Sequence, residues 1–311
     1  MSELDLLRSL PSELSAPTEA ARARARDQLL RHIRRRSFVR RRGLLVSVAG
    51  LAAAGAVAAL VGLDTHGRGS ASAATVLQQA ANVARNQPAS APLAPEQFRY
   101  TKSVVGFLSG GKGWQALSPG VRESWMGPSG GRIHEVWGKP KFLSAADRSA
   151  WIAAGRPQVN PREDSGDIPP VPPLNLPTNP AALYVKLAFR AAGRGNGFGP
   201  EMLTLVGDGL RETDASPALR AALYKVAARI PGVELVGPAV DRVGRHGVAV
   251  ACVDSKLHER HVLIFDPKTA ALLGEEYVEL DGNLYGYTPG TVTQYSTFVE
   301  TGVVDRLGAR P

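Results

Sequence analysis

The sequence predicts an α+β protein with an N-terminal helical arm, one membrane-crossing helix, and an outer antiparallel sheet carrying a helical insertion. Three observations carry this reading. A charge-free apolar stretch spans residues 43–63, directly after an arginine-rich start. Beyond it, strand-like patterns come first, helical patterns second and strand-like patterns again last. No alternation of single strands with single helices connects them, which excludes a parallel doubly wound sheet.

Composition limits the function classes. The 311 residues are 44% hydrophobic and 21% charged, the balance of a folding chain. A single cysteine excludes an internal disulfide framework and a cysteine-based zinc cluster. The net charge of +9 is concentrated at the start: residues 1–42 hold eleven Arg against five acids, whereas the remainder holds 26 basic and 23 acidic residues. That distribution sets membrane topology, and no direct nucleic-acid partner is expected.

Residues 1–42 read as a cytoplasmic arm. Ser2 can cap a first helix with Asp5 three residues on, and Leu6, Leu7 and Leu10 fall on one stripe before Pro11. A second helix starts near Thr18 and places Ala21, Ala25, Leu29 and Ile33 on one face. So short an arm cannot bury a core of its own, so it needs a partner or the membrane to order it. Gly43 to Leu63 follows, 21 residues without charge and about 31 Å long as a helix. Arg34, Arg35, Arg36, Arg40, Arg41 and Arg42 flank its start, so the positive-inside rule puts the arm in the cytoplasm and the rest outside. The competing reading is a cleaved twin-arginine export signal, for Arg35-Arg36-Ser37-Phe38-Val39-Arg40 resembles that pattern and Ala71-Ser72-Ala73 offers a cleavage site. Both readings place the C-terminal part outside the cytoplasm.

Residues 64–74 read as a polar linker and 75–311 as the outer domain. Ala74 to Arg85 forms a short helix. Strand patterns cover Gln97 to Leu108, Val121 to Met126 and Arg132 to Trp137, the last two flanking a Gly127-Pro128-Ser129-Gly130-Gly131 turn. Gly155 to Pro180, with eight prolines, reads as a long surface crossing. Helical patterns at Pro180 to Ala192, Pro200 to Glu212 and Pro217 to Ile230 each carry proline in the first turn. Five strands close the chain: Val233 to Val236, Val248 to Val253, His261 to Phe265, Leu272 to Leu280 and Thr291 to Val299. Their apolar–polar alternation suits a sheet with one wet face.

Candidate chemistry is thin. The Gly127–Gly131 string matches a nucleophile elbow literally, but a strand instead of a helix follows Ser129. His258-Glu259-Arg260-His261 is one residue short of a zinc-binding helix motif, and on a strand the two histidines point apart, as solvated or edge side chains. Cys252 reads as a small buried hydrophobe. The glycine-rich run 193–199 reads as a flexible loop that could serve as a lid, and 169–173 as a polyproline spacer. Trp114, Trp125, Trp137 and Trp151 are core residues or the lining of an apolar groove. No catalytic residue, metal ligand or cofactor site is assigned, and the protein is not expected to be an enzyme.

Several strings together resemble an actinobacterial family of single-span membrane proteins often linked with extracytoplasmic-function sigma factors. They are Glu3-Leu4-Asp5-Leu6-Leu7-Arg8, Phe142-Leu143-Ser144-Ala145-Ala146-Asp147-Arg148, Leu210-Arg211-Glu212-Thr213, Leu219-Arg220-Ala221-Ala222-Leu223-Tyr224, Ile230-Pro231-Gly232-Val233 and Leu263-Ile264-Phe265-Asp266-Pro267. The resemblance implies an outer half-barrel-like sheet similar to lipoprotein-carrier and RseB-type periplasmic sensor folds. It implies a membrane-anchored sensor or binding protein that takes an apolar extracytoplasmic ligand. A cytoplasmic sigma factor would be the partner of the arm, docked on Leu6, Leu7 and Leu10. The alternative is an envelope carrier for lipid or lipoprotein without a signalling role.

Overall fold

The computed structural model describes residues 68–170, 175–194, 196–211, 215–283 and 285–311. The arm with Leu6, Leu7 and Leu10, the arginines 34–42 and the apolar stretch 43–63 lie outside the described residues. Among the described residues no helix is long and apolar enough to cross a membrane.

The chain opens on α1 (Arg68–Arg85) and lays down β1 (Phe98–Gly111), β2 (Trp114–Gly127) and β3 (Gly130–Trp137). After α2 (Ala145–Ala153) comes β4 (Glu163–Ile168). Three helices follow, α3 (Pro180–Ala191), α4 (Phe198–Arg211) and α5 (Pro217–Ala227). The chain then makes β5 (Val233–Val240), β6 (His246–Asp254), β7 (Glu259–Phe265), β8 (Leu272–Glu279) and β9 (Val292–Val304). All nine strands join one antiparallel sheet in the order β4-β3-β2-β1-β9-β8-β7-β6-β5. Two meanders, one on each side of the helical segment, are thus joined where β9 returns beside β1. The protein is α+β, as the order of patterns predicts.

Local chemistry sets the boundaries. Asn179 accepts from the amides of Ala181 and Ala182 and Pro180 starts α3; Ser216 accepts from Leu219 N and Pro217 starts α5. Pro238 lies on the edge strand β5, where a missing donor breaks no ladder. Pro119 lies inside β2 but beyond the end of β3, and its carbonyl is met by Gly138 N at 2.7 Å. The other edge, β4, is blunted by Glu163, Asp164 and Asp167.

The core lies between the helices and one half of the sheet. α1 and α3 pack on α5, α1 also meets β5, and α4 crosses β6, β7 and β8. Leu77, Leu183, Leu187, Met202, Leu203 and Leu223 are buried there with Val250, Leu263 and Phe265. Each side chain of that size contributes about 1.5–3 kcal/mol by leaving water.

The structure corrects several expectations. α1 begins at Arg68 and takes in most of the stretch read as linker 64–74, because Ala and Ser permit helix as readily as coil. β1 and β2 form one long hairpin around Lys112-Gly113, with Gly113 at φ 82°. Helix α2, capped by Ser144, was not expected. The proline-rich crossing holds strand β4, which runs from Glu163 and ends before Pro169-Pro170. Nor is the face away from the helices simply wet, since Ala249, Ala251, Val262, Ile264 and Leu273 are buried there, while Glu275 and Glu279 of β8 point to the helix side and are 6% and 0% exposed.

Candidate functional site

In an antiparallel ladder, directly paired residues point the same way. One such row runs Leu235, Val250, Leu263, Glu275, Ser296, Val105, Gly120, Trp137 across eight strands. The next runs Val233, Cys252, His261, Tyr277, Gln294, Phe107, Ser118. The first row is apolar under the helices and turns polar at Glu275 of β8, where α4 ends its crossing; the second turns polar one strand earlier, at His261 of β7. They continue over β9, β1, β2 and β3 with Val105, Phe107 and Trp137. The candidate site is this step, where the helix layer stops and the same sheet face goes on.

A buried polar cluster forms the wall. The His261 ring is 1% exposed and stacks on Tyr277, with centroids 4.4 Å apart and planes 9° from parallel. Its Nδ1 lies 3.3 Å from Thr204 Oγ1 and its Nε2 lies 3.7 Å from Glu275 Oε2. Arg211 of α4 reaches Glu275 Oε1 at 3.2 Å and Asp208 Oδ1 at 2.6 Å. Burial pushes the Glu275 carboxyl up, but Arg211, His261 and Arg122 outweigh it and hold it below the ordinary glutamate range. Gly207 lets α4 approach, since a Cβ there would sit 3.2 Å from Leu263 and 3.5 Å from Glu275.

The sequence Thr204, His261, Glu275 has the order of a nucleophile relay, yet its hydrogens are committed elsewhere. Thr204 Oγ1 donates to Pro200 O at 3.0 Å, so it receives the imidazole N–H and does not give a proton to it. The cluster fixes charge at the end of α4. It is built to hold Arg211 in place.

Aromatic side chains and a second arginine form the floor. Phe107 and Trp137 meet edge to face, with centroids 6.1 Å apart at 68°. Trp137 lies across β2 because residue 120 is glycine: a Cβ there would come within 2.8 Å of the indole. Arg122 stands over Phe107, its guanidinium carbon 4.9 Å from the ring centre, and pairs with Glu135 at 2.6 Å. Arg211 stands 5.9 Å over Phe298 in the same way. Phe107, Trp137 and Phe298 are each half-buried, so aromatic surface stays open between two arginines.

On the opposite face the C-terminal residues close the sheet. Trp125 Nε1 donates to Ala309 O at 2.6 Å, and Arg310 makes two bonds to Glu123, at 2.6 and 2.8 Å. Tyr100 Oη donates to the same carboxylate at 2.5 Å.

The residues singled out by sequence fall as follows. Ser129 is in the β2–β3 hairpin turn and strand follows it. His258 and His261 are not both solvated: His258 lies in a turn at φ 51° and pairs with Asp281 at 2.6 Å, whereas His261 is buried beneath α4. Cys252 is a buried hydrophobe as expected, and burial first, then Glu234 and Asp254, push its thiol up to about 12. The glycine-rich run is tied down instead of forming a lid: Gly197 N donates to Asp254 at 2.8 Å, and Arg194 and Asn196 both reach Glu201. Of the tryptophans, Trp137 lines the open floor, Trp114 and Trp125 are buried, and Trp151 packs on Phe142. Sequence reading missed the Arg211–Glu275–His261 cluster. The available signal was β8 itself, where Glu275 and Tyr277 share a side that the helices should have made apolar. Among the described residues no group of three or more His, Cys, Asp or Glu is placed to hold a metal.

No family model matches the sequence, and no curated protein does. Among solved structures, a DUF1329 family protein from Desulfovibrio piger is similar at 12% identity over 77% of this chain and 93% of that one, with a TM-score of 0.22. A likeness this slight bears on neither activity nor ligand.

Proposed function

We propose that this chain is a membrane-anchored extracytoplasmic binding protein with a half-barrel-like sheet, whose open half holds an apolar molecule bearing an anionic group. One observation carries the reading. The layer of α1, α3, α4 and α5 ends at β8 while the sheet face continues, with α2 meeting β2, and Phe107, Trp137 and Phe298 stay half-buried beside Arg122 and Arg211. An acyl chain or similar body would lie on the aromatic floor, and its head would meet the guanidinium groups. The site contains no paired nucleophile and base, so binding is the function it supports.

Mapping of a photoreactive fatty acid tests this. Full-length chain in vesicles is irradiated with a diazirine-bearing fatty acid and its peptides are sequenced. Adducts on peptides holding Phe107, Trp137 or Phe298 support the proposal; adducts only within 43–63 refute it. In the same proposal the arm, through Leu6, Leu7 and Leu10, carries the bound state to a cytoplasmic sigma factor. Deleting residues 2–30 separates this from a plain envelope carrier, which would keep its function.

A further inference from the structure

Helix α3 shows an apolar face to solvent. Leu183, Leu187 and Ala191 are buried against the domain, while Val185 and Phe189 are 68% and 85% exposed. Residues two apart lie about 200° round a helix, so the two stripes are on opposite sides. The next most exposed large apolar side chain among the described residues, Val236, is at 47%. A solvated helix face ordinarily carries polar residues, and a phenylalanine this bare calls for a partner.

Charge names the partner. Helices α1, α3 and α5 contain no Asp or Glu. Arg85, Lys186, Arg190 and Arg229 are exposed along or beside them, and the Arg229 guanidinium lies 5.6 Å from the Tyr184 ring centre, between α3 and α5. A basic surface with an apolar ridge in its middle suits the interface of a bilayer with anionic headgroups.

Chain length points the same way. Only residues 64–67 separate the apolar stretch 43–63 from the start of α1. Four extended residues reach about 14 Å, which keeps α1 close to the bilayer if that stretch spans it. α1 and α3 both pack on α5, so the tethered helix and the bare ridge belong to one layer.

We propose that the outer surface of the α1, α3 and α5 layer is a second membrane contact: Val185 and Phe189 enter the headgroup region, and Lys186, Arg190 and Arg229 meet lipid phosphates. This rests on reading 43–63 as a span. Docking would turn the helix layer toward the lipid and hold the domain in one orientation.

The test uses full-length chain reconstituted in vesicles with roughly 30 mol% anionic lipid and nitroxide-bearing lipid as quencher. Val185→Cys carries an environment-sensitive fluorophore, with Ser129→Cys in the β2–β3 turn as the distant control; native Cys252 is buried and stays unlabelled. Lipid quenching at 185 should exceed that at 129 by about threefold or more. Lys186→Gln and Arg190→Gln should each lower the docked fraction relative to the undocked by about fivefold. Equal quenching at both sites in inserted protein overturns the proposal. So does fluorescence at 185 that self-quenches with protein density but ignores the lipid quencher, which would assign the ridge to a second copy. Chain that stays outside the vesicles removes the span reading, and the surface contact falls with it.

Discussion

Replacing Arg310 with Ala should release the C-terminal residues from the sheet. Glu123 is 4% exposed and has two partners, the Arg310 guanidinium and the Tyr100 hydroxyl. Removing one partner from a buried ion pair costs several kcal/mol when nothing replaces it. Here the Arg310 side chain is 63% exposed, so water can take its place and the solvent already screens the pair. The expected loss is about 1–2 kcal/mol of local stability, or a five- to thirtyfold fall in amide protection over residues 305–309.

The pH dependence has a definite sign. The Arg310 hydrogen bonds hold the Glu123 carboxyl below the ordinary range; burial opposes this and the Tyr100 hydroxyl adds to it. A depressed folded value means the stabilisation is complete above the unfolded glutamate pKa of about 4.3 and is lost as pH falls through the folded value. Wild-type protection over 305–309, corrected for intrinsic exchange, should therefore be flat near neutrality and decline only below about pH 4.3. In Arg310→Ala that acid-dependent part should shrink. Hydrogen exchange of the full-length chain reads both effects. Unchanged protection in the variant at pH 7 would refute the reasoning, because the segment would then be held by Trp125 and packing alone.

Two further outcomes follow from close approaches and burial. Gly199→Ala should destabilise the α4 start by about 1–3 kcal/mol, since its Cβ would sit 2.6 Å from Pro231 O and 2.9 Å from Cys252 Sγ; a urea midpoint equal to wild type would contradict this. Cys252, with its thiol pushed up to about 12 by burial, should resist iodoacetamide at pH 8 in the folded chain and react fully in denaturant. Rapid alkylation without denaturant would show that the β6 region opens.

The parts legible in the sequence were those with strong local chemistry. Pro180, Pro200 and Pro217 marked three helices, and Gly127–Gly131 marked a hairpin, because proline at a first turn and glycine in a tight turn act without tertiary help. The parts that were hidden depend on distant partners. Trp114 to Gly120 carries Ser118, Pro119 and Gly120 and shows no alternation, yet it is strand because β1 supplies a full ladder from Gly111 back to Val105. β4 has a charged, glycine-bearing sequence that only an edge position tolerates. The site was half visible: Trp137 was on view as an aromatic, but Arg122, Arg211, Glu275 and His261 come together only once α4 and the five strands from β2 through β1, β9 and β8 to β7 are assembled. A buried histidine and glutamate look solvated in a sequence when their burial depends on a helix more than fifty residues away.

The central claim is that one half of a sheet face is a ligand surface and the other half is core. Hydrogen exchange of full-length chain in lipid nanodiscs, with and without a long-chain fatty acid, tests it most directly. The expected result is added protection in β1, β2 and β3 and around Phe298, with β6 and β7 unchanged beneath the helices. Protection that is unchanged across β1–β3, or that rises only at β6 and β7, would contradict it.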